Sequence, residues 1–167
     1  MPRPDSRRVG AGAWGAPWRR PSSPTAEPVG RKVGVLALQG AFREHAEVLA
    51  ALGAHPIEVR VPGDLAAVDA LILPGGESTT MSLLLGSSGL FSAVADALAY
   101  GMPTLATCAG LILLAKTVLG GRPDQRSFGV LDVAVERNGY GRQIDSFETN
   151  LTIAGLGELS NPVDIRR

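Results

Sequence analysis

From Lys32 onward, continuous apolar runs typical of buried strands alternate with segments whose apolar residues recur at helical spacing. The apolar run VGVLALQG (33–40) closes with glycine, and apolar residues recur at helical spacing in the next segment, AFREHAEVLAALG (41–53). Because strands that are apolar on both faces and alternate with helices form parallel sheets, we expect a parallel sheet covered by helices on both faces. The same unit repeats, with strands predicted at PIEVRV (56–61), ALILPGG (70–76) and MPTLATC (102–108), and helical segments, broken near Gly86, across TTMSLLLGSSGLFSAVADALAYG (79–101).

A β-rich segment is predicted in the last third of the chain. FGVLDVAVERNGYGRQIDSFETNLTIAGLG (128–157) contains one or two β segments joined by a polar turn at 138–141, and strand alternation resumes from Phe147. Arg137 and Arg142 flank the turn, and either guanidinium could bind a carboxylate by paired hydrogen bonds if the turn lies over the sheet edge. The alternative is a solvated surface hairpin with incidental charges.

The first 32 residues differ in composition from the rest of the chain. They hold seven Lys or Arg against two acidic residues, a balance of +5 that leaves −5 for the remainder, and six of the twelve prolines. Because they lack apolar periodicity, we expect 1–31 to be a disordered basic tail, an arginine-rich leader or the product of an upstream start, rather than a nucleic-acid or membrane contact. A domain is expected at 32–157 and a divergent end at 158–167.

Overall composition is typical of one soluble domain. Of 167 residues, 45 % are hydrophobic and 19 % charged, and the formal net charge is zero. A single cysteine excludes a disulfide framework, and no apolar run approaches the roughly 18 residues needed to span a membrane. A reactive thiol requires a reducing compartment, so we expect a cytoplasmic protein without nucleic-acid or membrane partners.

That cysteine, Cys108, lies where a short apolar strand (104–107) meets an apolar helix predicted at 111–119. The small residues of ATCAG (106–110) let the backbone bend sharply and project the sulfur from the end of the strand, as in a nucleophile elbow. The helix N–H groups and dipole favour the thiolate. The alternative is a buried cysteine that fills a gap in the core.

The segment PGGES (74–78) also has two interpretations. It could be a tight turn into a helix capped by Ser78. Alternatively, Gly75 and Gly76 allow close backbone approach to a ligand, and N–H groups there could stabilise the oxyanion of a tetrahedral intermediate. LQG, PGGES and TCAG all follow predicted strands, and ligands gather at the carboxyl ends of parallel strands, so we expect one site built from three loops.

Four segments, taken in order, resemble the glutaminase subunits of pyridoxal 5'-phosphate synthases, which are class I glutamine amidotransferases. The resemblance covers about 33–157 and implies a flavodoxin-like α/β fold. Ala106 departs from it, because the family usually has glycine two residues before the cysteine. The segments are GVLALQGAFREH (34–45), LILPGGESTTM (71–81), TLATCAGLILLAK (104–116) and VAVERNGYGRQIDSFE (133–148).

The resemblance implies a reaction and a set of site residues. A cysteine thiolate attacks the side-chain amide of L-glutamine, ammonia leaves, and water hydrolyses the thioester to glutamate. The ammonia would pass through a tunnel to a synthase subunit of a hetero-oligomer that makes pyridoxal 5'-phosphate in vitamin B6 biosynthesis, and no cofactor or metal is implied. By resemblance the nucleophile is Cys108, glutamine is held by Gly75, Gly76, Glu77 and Arg137, and Gln39 and Ala109 lie at or near the oxyanion.

The resemblance also implies a catalytic His-Glu pair from a late HPE motif, which this sequence does not contain. Its two histidines, His45 and His55, precede the cysteine, and we expect surface or structural roles for both, with His55 in a loop. General acid-base transfer contributes about 10²- to 10⁴-fold, so we expect impaired activity. We also expect a fold lacking its last strands and helix, with an exposed apolar sheet edge and poor stability.

Three alternatives to an active glutaminase subunit remain at this point. The first is a non-catalytic protein that docks on the synthase subunit without making ammonia. The second is another cysteine hydrolase of the same architecture, which would require a histidine on a nearby loop. The third is a truncated or frameshifted gene product.

Overall fold

The computed structural model describes residues 30–139, 147–149, 152–153, 157–158 and 163–165. Its centre is a parallel four-stranded sheet of β1 (Lys32–Leu36), β2 (His55–Val59), β3 (Ala70–Leu73) and β4 (Thr104–Ala106). The spatial order is β2-β1-β3-β4, so β1 and β3 are the inner strands. Consecutive buried residues in these two strands account for the continuous apolar runs in the sequence.

The described ranges contain five helices that connect or follow these strands. They are α1 (Phe42–Ala51), α2 (Pro62–Leu65), α3 (Ser78–Ser87), α4 (Leu90–Ala99) and α5 (Ala109–Leu114). Helices α2 to α5 pack with the sheet around one core of buried apolar side chains, whereas α1 has no fully buried residue. The largest core side chains include Leu36, Leu73, Met81, Leu90 and Leu113.

Short strand pairs follow α5, and several of their strands lie within the predicted β-rich segment 128–157. The strands are β5 (Ala115–Leu119), β6 (Leu131–Glu136), β7 (Phe147–Thr149), β8 (Thr152–Ile153), β9 (Gly157–Glu158) and β10 (Val163–Ile165). β5 and β6 are parallel, whereas β7 with β10 and β8 with β9 are antiparallel.

The segment after the cysteine corrects the prediction of one helix over 111–119. α5 ends at Leu114, and the backbone becomes extended at Ala115, with φ −61° and ψ 143°. Thr117 and Val118 are β-branched, which favours strands, and they pair with β6. Ladder hydrogen bonds therefore outweigh the helical pattern of the apolar run.

The break in the helical segment 79–101 lies at Gly89 rather than near Gly86. Gly89 has φ 73°, in the left-handed region that glycine occupies without steric cost. Gly86 lies inside α3 instead, and α3 and α4 are bent by 100° relative to each other. No single helix in the described ranges is long and apolar enough to cross a membrane; only as a bent pair do α3 and α4 satisfy a test of length and composition.

Strand β4 lies at the edge of the described four-stranded sheet and exposes apolar surface. Leu105 is 57 % exposed. Leu105 lines an open surface depression of about 300 Å³, together with mainly apolar residues of β1, β3 and β4. Apart from Gly30 and Arg31, the predicted tail lies outside the described residues, and so does the predicted turn beyond Gly139.

Candidate active site

Cys108 lies between β4 and α5 in the conformation expected of a nucleophile elbow. Its φ is 47° and its ψ is −110°, it is the N-cap residue of α5, and it is exposed. A positive φ is uncommon for a residue with a Cβ and is found where the surrounding structure holds it in place. The structure therefore excludes the alternative of a buried cysteine in the core.

The end of β3 holds this elbow in place. The carbonyl of Leu73 accepts a hydrogen bond from the Thr107 N–H at 3.1 Å. The same carbonyl lies so close to Gly110 that a Cβ there would collide with it. Only glycine permits this approach, so the second residue after the cysteine is fixed by packing.

The double-glycine loop that follows β3 lies beside the cysteine. A Cβ built on Gly75 would be 3.5 Å from the Cβ of Cys108. The loop after β1 packs against the other side, because the Ala41 N–H donates to the Gly75 carbonyl at 3.0 Å and Gly40 touches the same carbonyl. The three loops expected to form one site therefore meet at the carboxyl ends of β1, β3 and β4.

Gln39 and Ala109 lie next to this loop cluster. The side-chain oxygen of Gln39 accepts a hydrogen bond from the Glu77 N–H at 3.0 Å. This hydrogen bond fixes the amide orientation, and the amide nitrogen of Gln39 is the group that could donate to an oxyanion. Ala109 is buried at the first position of α5, where backbone N–H groups have no partner within the helix.

Glu77 is the N-cap residue of α3. Its carboxylate accepts hydrogen bonds from the backbone N–H groups of Thr79 at 3.1 Å and Thr80 at 2.6 Å. Partial burial raises its pKa, but these hydrogen bonds outweigh burial and lower the pKa of Glu77 to about 2. The expectation that Ser78 caps this helix was wrong, because Ser78 is the first helical residue and is buried.

Arg137, in the turn after β6, reaches the same helix end. Its Nη2 donates to Glu77 Oε1 at 2.9 Å, and the Arg137 side chain is only 19 % exposed. Its Nη1 donates to Thr79 Oγ1 and to Gln125 Oε1, both at 2.9 Å. Arg137 is therefore the arginine of the predicted pair that joins the site, whereas Arg142 lies outside the described residues.

Gln125 and Thr79 are site residues that sequence reasoning missed. Gln125 lies in the loop between β5 and β6, and its amide contacts Ser78, Thr79 and Arg137. The polar stretch GGRPDQRS has no motif spacing, so it carried no signal of this role. No group of three His, Cys, Asp or Glu side chains within the described part of the chain is arranged to hold a metal ion.

The two histidines lie in different places. His45, on α1, is half-buried, and its Nε2 is 3.3 Å from the hydroxyl oxygen of Thr107. His55, expected in a loop, is instead the first residue of β2, because it pairs with Lys32 of β1, and it is exposed. The contact of His45 agrees with the structural role expected for it.

Comparison with known proteins gives this geometry a family context. Residues 35–167 match the model of the SNO glutamine amidotransferase family. The chain is 52 % identical over 127 residues to the pyridoxal 5'-phosphate synthase subunit PdxT of Frankia casuarinae, covering 76 % of this chain and 64 % of that relative. It is 56 % identical over 127 residues to the subunit of the same name from Deinococcus radiodurans, covering 74 % of this chain and 65 % of that relative.

Solved structures show the same fold. A crystal structure of a glutamine amidotransferase superposes with a TM-score of 0.68 at 46 % identity, covering 80 % of this chain and 74 % of that one. A putative peptidase E from Listeria monocytogenes shares the fold alone, with a TM-score of 0.53 at 13 % identity over 64 % of this chain and 66 % of that one. The expected flavodoxin-like amidotransferase architecture is confirmed, and the chain belongs to the SNO glutamine amidotransferase family.

Proposed function

We propose that the chain carries the glutaminase site of a pyridoxal 5'-phosphate synthase. The observation that carries the proposal is the exposed Cys108 at a positive-φ elbow, beside the backbone of Gly75, whose loop leads to Glu77 and its partner Arg137. Its matched relatives are named as subunits of that synthase, and the chain spans 64 % of the length of the Frankia relative. The role in vitamin B6 biosynthesis rests on those names together with this site.

The proposed reaction proceeds through a thioester. The Cys108 thiolate attacks the side-chain carbonyl carbon of L-glutamine, forming a C–S bond and a tetrahedral oxyanion. Collapse of the oxyanion breaks the C–N bond, and the nitrogen leaves as ammonia after it takes up a proton. Water then attacks the thioester and releases glutamate and the cysteine thiol.

The oxyanion would form at the N-terminus of α5 and the glycine loop. Backbone N–H groups of Ala109 and of the loop at Gly75 and Gly76 are the proposed donors, with the amide nitrogen of Gln39 nearby. The absence of a Cβ on Gly75 matters here, because any side chain would occupy space 3.5 Å from the Cys108 Cβ. Substrate can therefore approach the sulfur along this loop.

Arg137 is the proposed contact for the α-carboxylate of glutamine. A guanidinium has five N–H donors, and its three side-chain bonds to Glu77, Thr79 and Gln125 leave two. The ionised Glu77 is the proposed partner of the α-ammonium group, because its low pKa keeps it charged at neutral pH. An amino acid with both charges is thereby favoured over a simple amide.

Ammonia release is proposed to be coupled to a synthase subunit in a hetero-oligomer, and a cytoplasmic location is proposed because the thiol must stay reduced. Attack on the amide requires a group that accepts the thiol proton of Cys108 and passes a proton to the leaving nitrogen. Of the two histidines in these 167 residues, His55 is the first residue of β2 and His45 contacts Thr107. We infer that the 167-residue chain assayed alone turns over slowly.

Glutamate release from glutamine tests the proposal. It is measured with and without an added synthase subunit, with Cys108→Ala as the control, and alkylation of Cys108 by a chloroketone analogue of glutamine is followed in parallel. Turnover that disappears in the control supports the full proposal. Saturable alkylation that glutamine protects against, without turnover, supports a formed substrate site in a protein that binds but does not hydrolyse. Alkylation that glutamine does not slow would contradict the proposal.

A further inference from the structure

The side-chain amide of Gln125 connects Arg137 to the first turn of helix α3. Its Oε1 accepts hydrogen bonds from Arg137 Nη1 at 2.9 Å and from the Thr79 hydroxyl at 3.2 Å. Its Nε2 donates to the hydroxyl oxygen of Ser78 at 3.1 Å. This set requires an acceptor and a donor on one short planar group, which a carboxamide supplies.

The loop that carries Gln125 is itself anchored on the core. The Arg126 N–H donates to the buried Ser82 hydroxyl at 2.8 Å, and the Arg126 guanidinium lies 3.7 Å from the centre of the Phe91 ring. Phe128 stacks on Phe91 with ring centres 4.6 Å apart. The loop is therefore fixed to α3 and α4 rather than free to follow Arg137.

The same loop is tied to the helix that follows the cysteine. The Phe128 N–H donates to the carbonyl of Leu113, in α5, at 2.6 Å. The loop that carries Gln125 is thus anchored on α3, which begins after Glu77, and on α5, which begins after Cys108. Through its hydrogen bond to Gln125, the guanidinium of Arg137 is positioned relative to these two helices.

The orientation of the guanidinium plane decides how well Arg137 can bind a carboxylate. Arginine is a long side chain with several rotamers, and paired hydrogen bonds to a carboxylate form only when the two planar groups are aligned. Glu77 fixes one end of the guanidinium through Nη2, and Gln125 and Thr79 fix the other through Nη1. Hydrogen bonds at both Nη1 and Nη2 fix the orientation of the guanidinium plane. Hydrogen bonds at one of these nitrogens alone would leave the group free to rotate.

We infer that Gln125 is a positioning residue that orients Arg137 toward the α-carboxylate of the amino acid substrate. The inference rests on the proposed function, because it assumes that Arg137 meets that carboxylate. Gln125 acts only through Arg137 and helix α3.

Cys108 alkylation in the full chain tests the inference. The thiolate displaces chloride from a chloroketone analogue of L-glutamine, and the half-saturation concentration of the reagent reports its binding. Gln125→Met keeps side-chain length but removes all three hydrogen bonds, and we expect it to raise the half-saturation concentration about tenfold. Alkylation by iodoacetamide, which has no carboxylate to orient, is expected to be unchanged.

Two controls separate positioning from general damage. Arg122→Met alters the same loop at an exposed ion pair with Asp124, 2.9 Å long, and is expected to leave both reactions unchanged. The same chloroketone without its α-carboxylate is expected to react equally with the native chain and with Gln125→Met.

The outcomes distinguish the inference from the proposed function. A native chain that shows no saturation contradicts the proposed function and with it the inference. A native chain that saturates, with Gln125→Met unchanged, overturns the inference alone. Equal slowing of iodoacetamide and the glutamine analogue also overturns it, because Gln125 would then support the elbow and not the arginine.

Discussion

His45 Nε2 lies 3.3 Å from the hydroxyl oxygen of Thr107, the residue directly before Cys108. The two residues are 62 positions apart in sequence, so this contact joins α1 to the elbow. Thr107 also donates its N–H to Leu73. The residue that leads into Cys108 is therefore held by both its backbone and its side chain.

The first prediction concerns this contact. His45→Leu and Thr107→Val are each expected to lower the free energy of unfolding by about 1 kcal/mol, the net worth of one hydrogen bond. The double variant is expected to lose no more than the larger single loss, because both changes remove the same interaction. Urea denaturation measures all three, with the exposed His55→Leu as a control that changes stability by less than about 0.5 kcal/mol. Fully additive losses would show that the contact is not energetically real.

The second prediction compares two glycines. Gly110→Ala is expected to destabilise the chain by about 3 kcal/mol, because its Cβ meets the backbone carbonyl of Leu73, which cannot move without shifting β3. Gly86→Ala is expected to stabilise it by about 1 kcal/mol, because Gly86 lies inside α3 and a Cβ there meets nothing within 4 Å. Thermal denaturation of the two variants gives both signs, and a shift of the same sign in both would contradict the packing described here.

The third prediction concerns acid stability. The folded chain holds the pKa of Glu77 at about 2, below the usual 4.5, so the unfolded chain binds the proton more readily. The stabilising contribution is therefore complete above about pH 5 and is lost as the pH falls toward 2. Because the side chain is 48 % exposed, solvent screening reduces this contribution to about 1 kcal/mol.

Glu77→Gln should remove that part of the pH dependence. Unfolding by urea at several pH values between 5.5 and 2.5 is the measurement, and the variant should show a shallower loss than the native chain. Glu47→Gln, at an exposed position of α1, serves as the matched control. Parallel curves for native chain and Glu77→Gln would argue against the role of the helix cap.

The fourth prediction compares stability and reactivity at Cys108. Cys108 has φ 47°, a conformation that costs a residue with a Cβ about 1 kcal/mol or more and costs glycine little. Cys108→Gly is therefore expected to be about 1 kcal/mol more stable than Cys108→Ser, while neither variant reacts with the chloroketone. Differential scanning calorimetry of the two variants makes the comparison. A serine variant that melts at or above the glycine variant would show that the elbow is unstrained.

Local patterns in the sequence predicted the sheet and the three loops because each loop is defined by neighbouring residues. Glycines at 75, 76 and 110 report local backbone needs, and they lie where the loops after β1 and β4 approach the end of β3 and the loop that follows it. The role of Gln125 could not be predicted in this way, since its partner Thr79 is 46 positions away. Strand β5 was missed for a related reason, because Thr117 and Val118 pair with a strand that begins at Leu131.

The carbonyl of Leu73 accepts a hydrogen bond from the Thr107 N–H and lies against Gly110. The chain continues directly from Leu73 into Pro74 and Gly75. Leu73, the last residue of β3, thus holds both the elbow that carries the Cys108 sulfur and the loop that carries the Gly75 backbone. We expect a displacement of Leu73 by motion of the sheet to move the elbow and the glycine loop in the same direction. We therefore expect the spacing between the Cys108 sulfur and the Gly75 backbone to change less than the position of the sheet itself when the sheet moves.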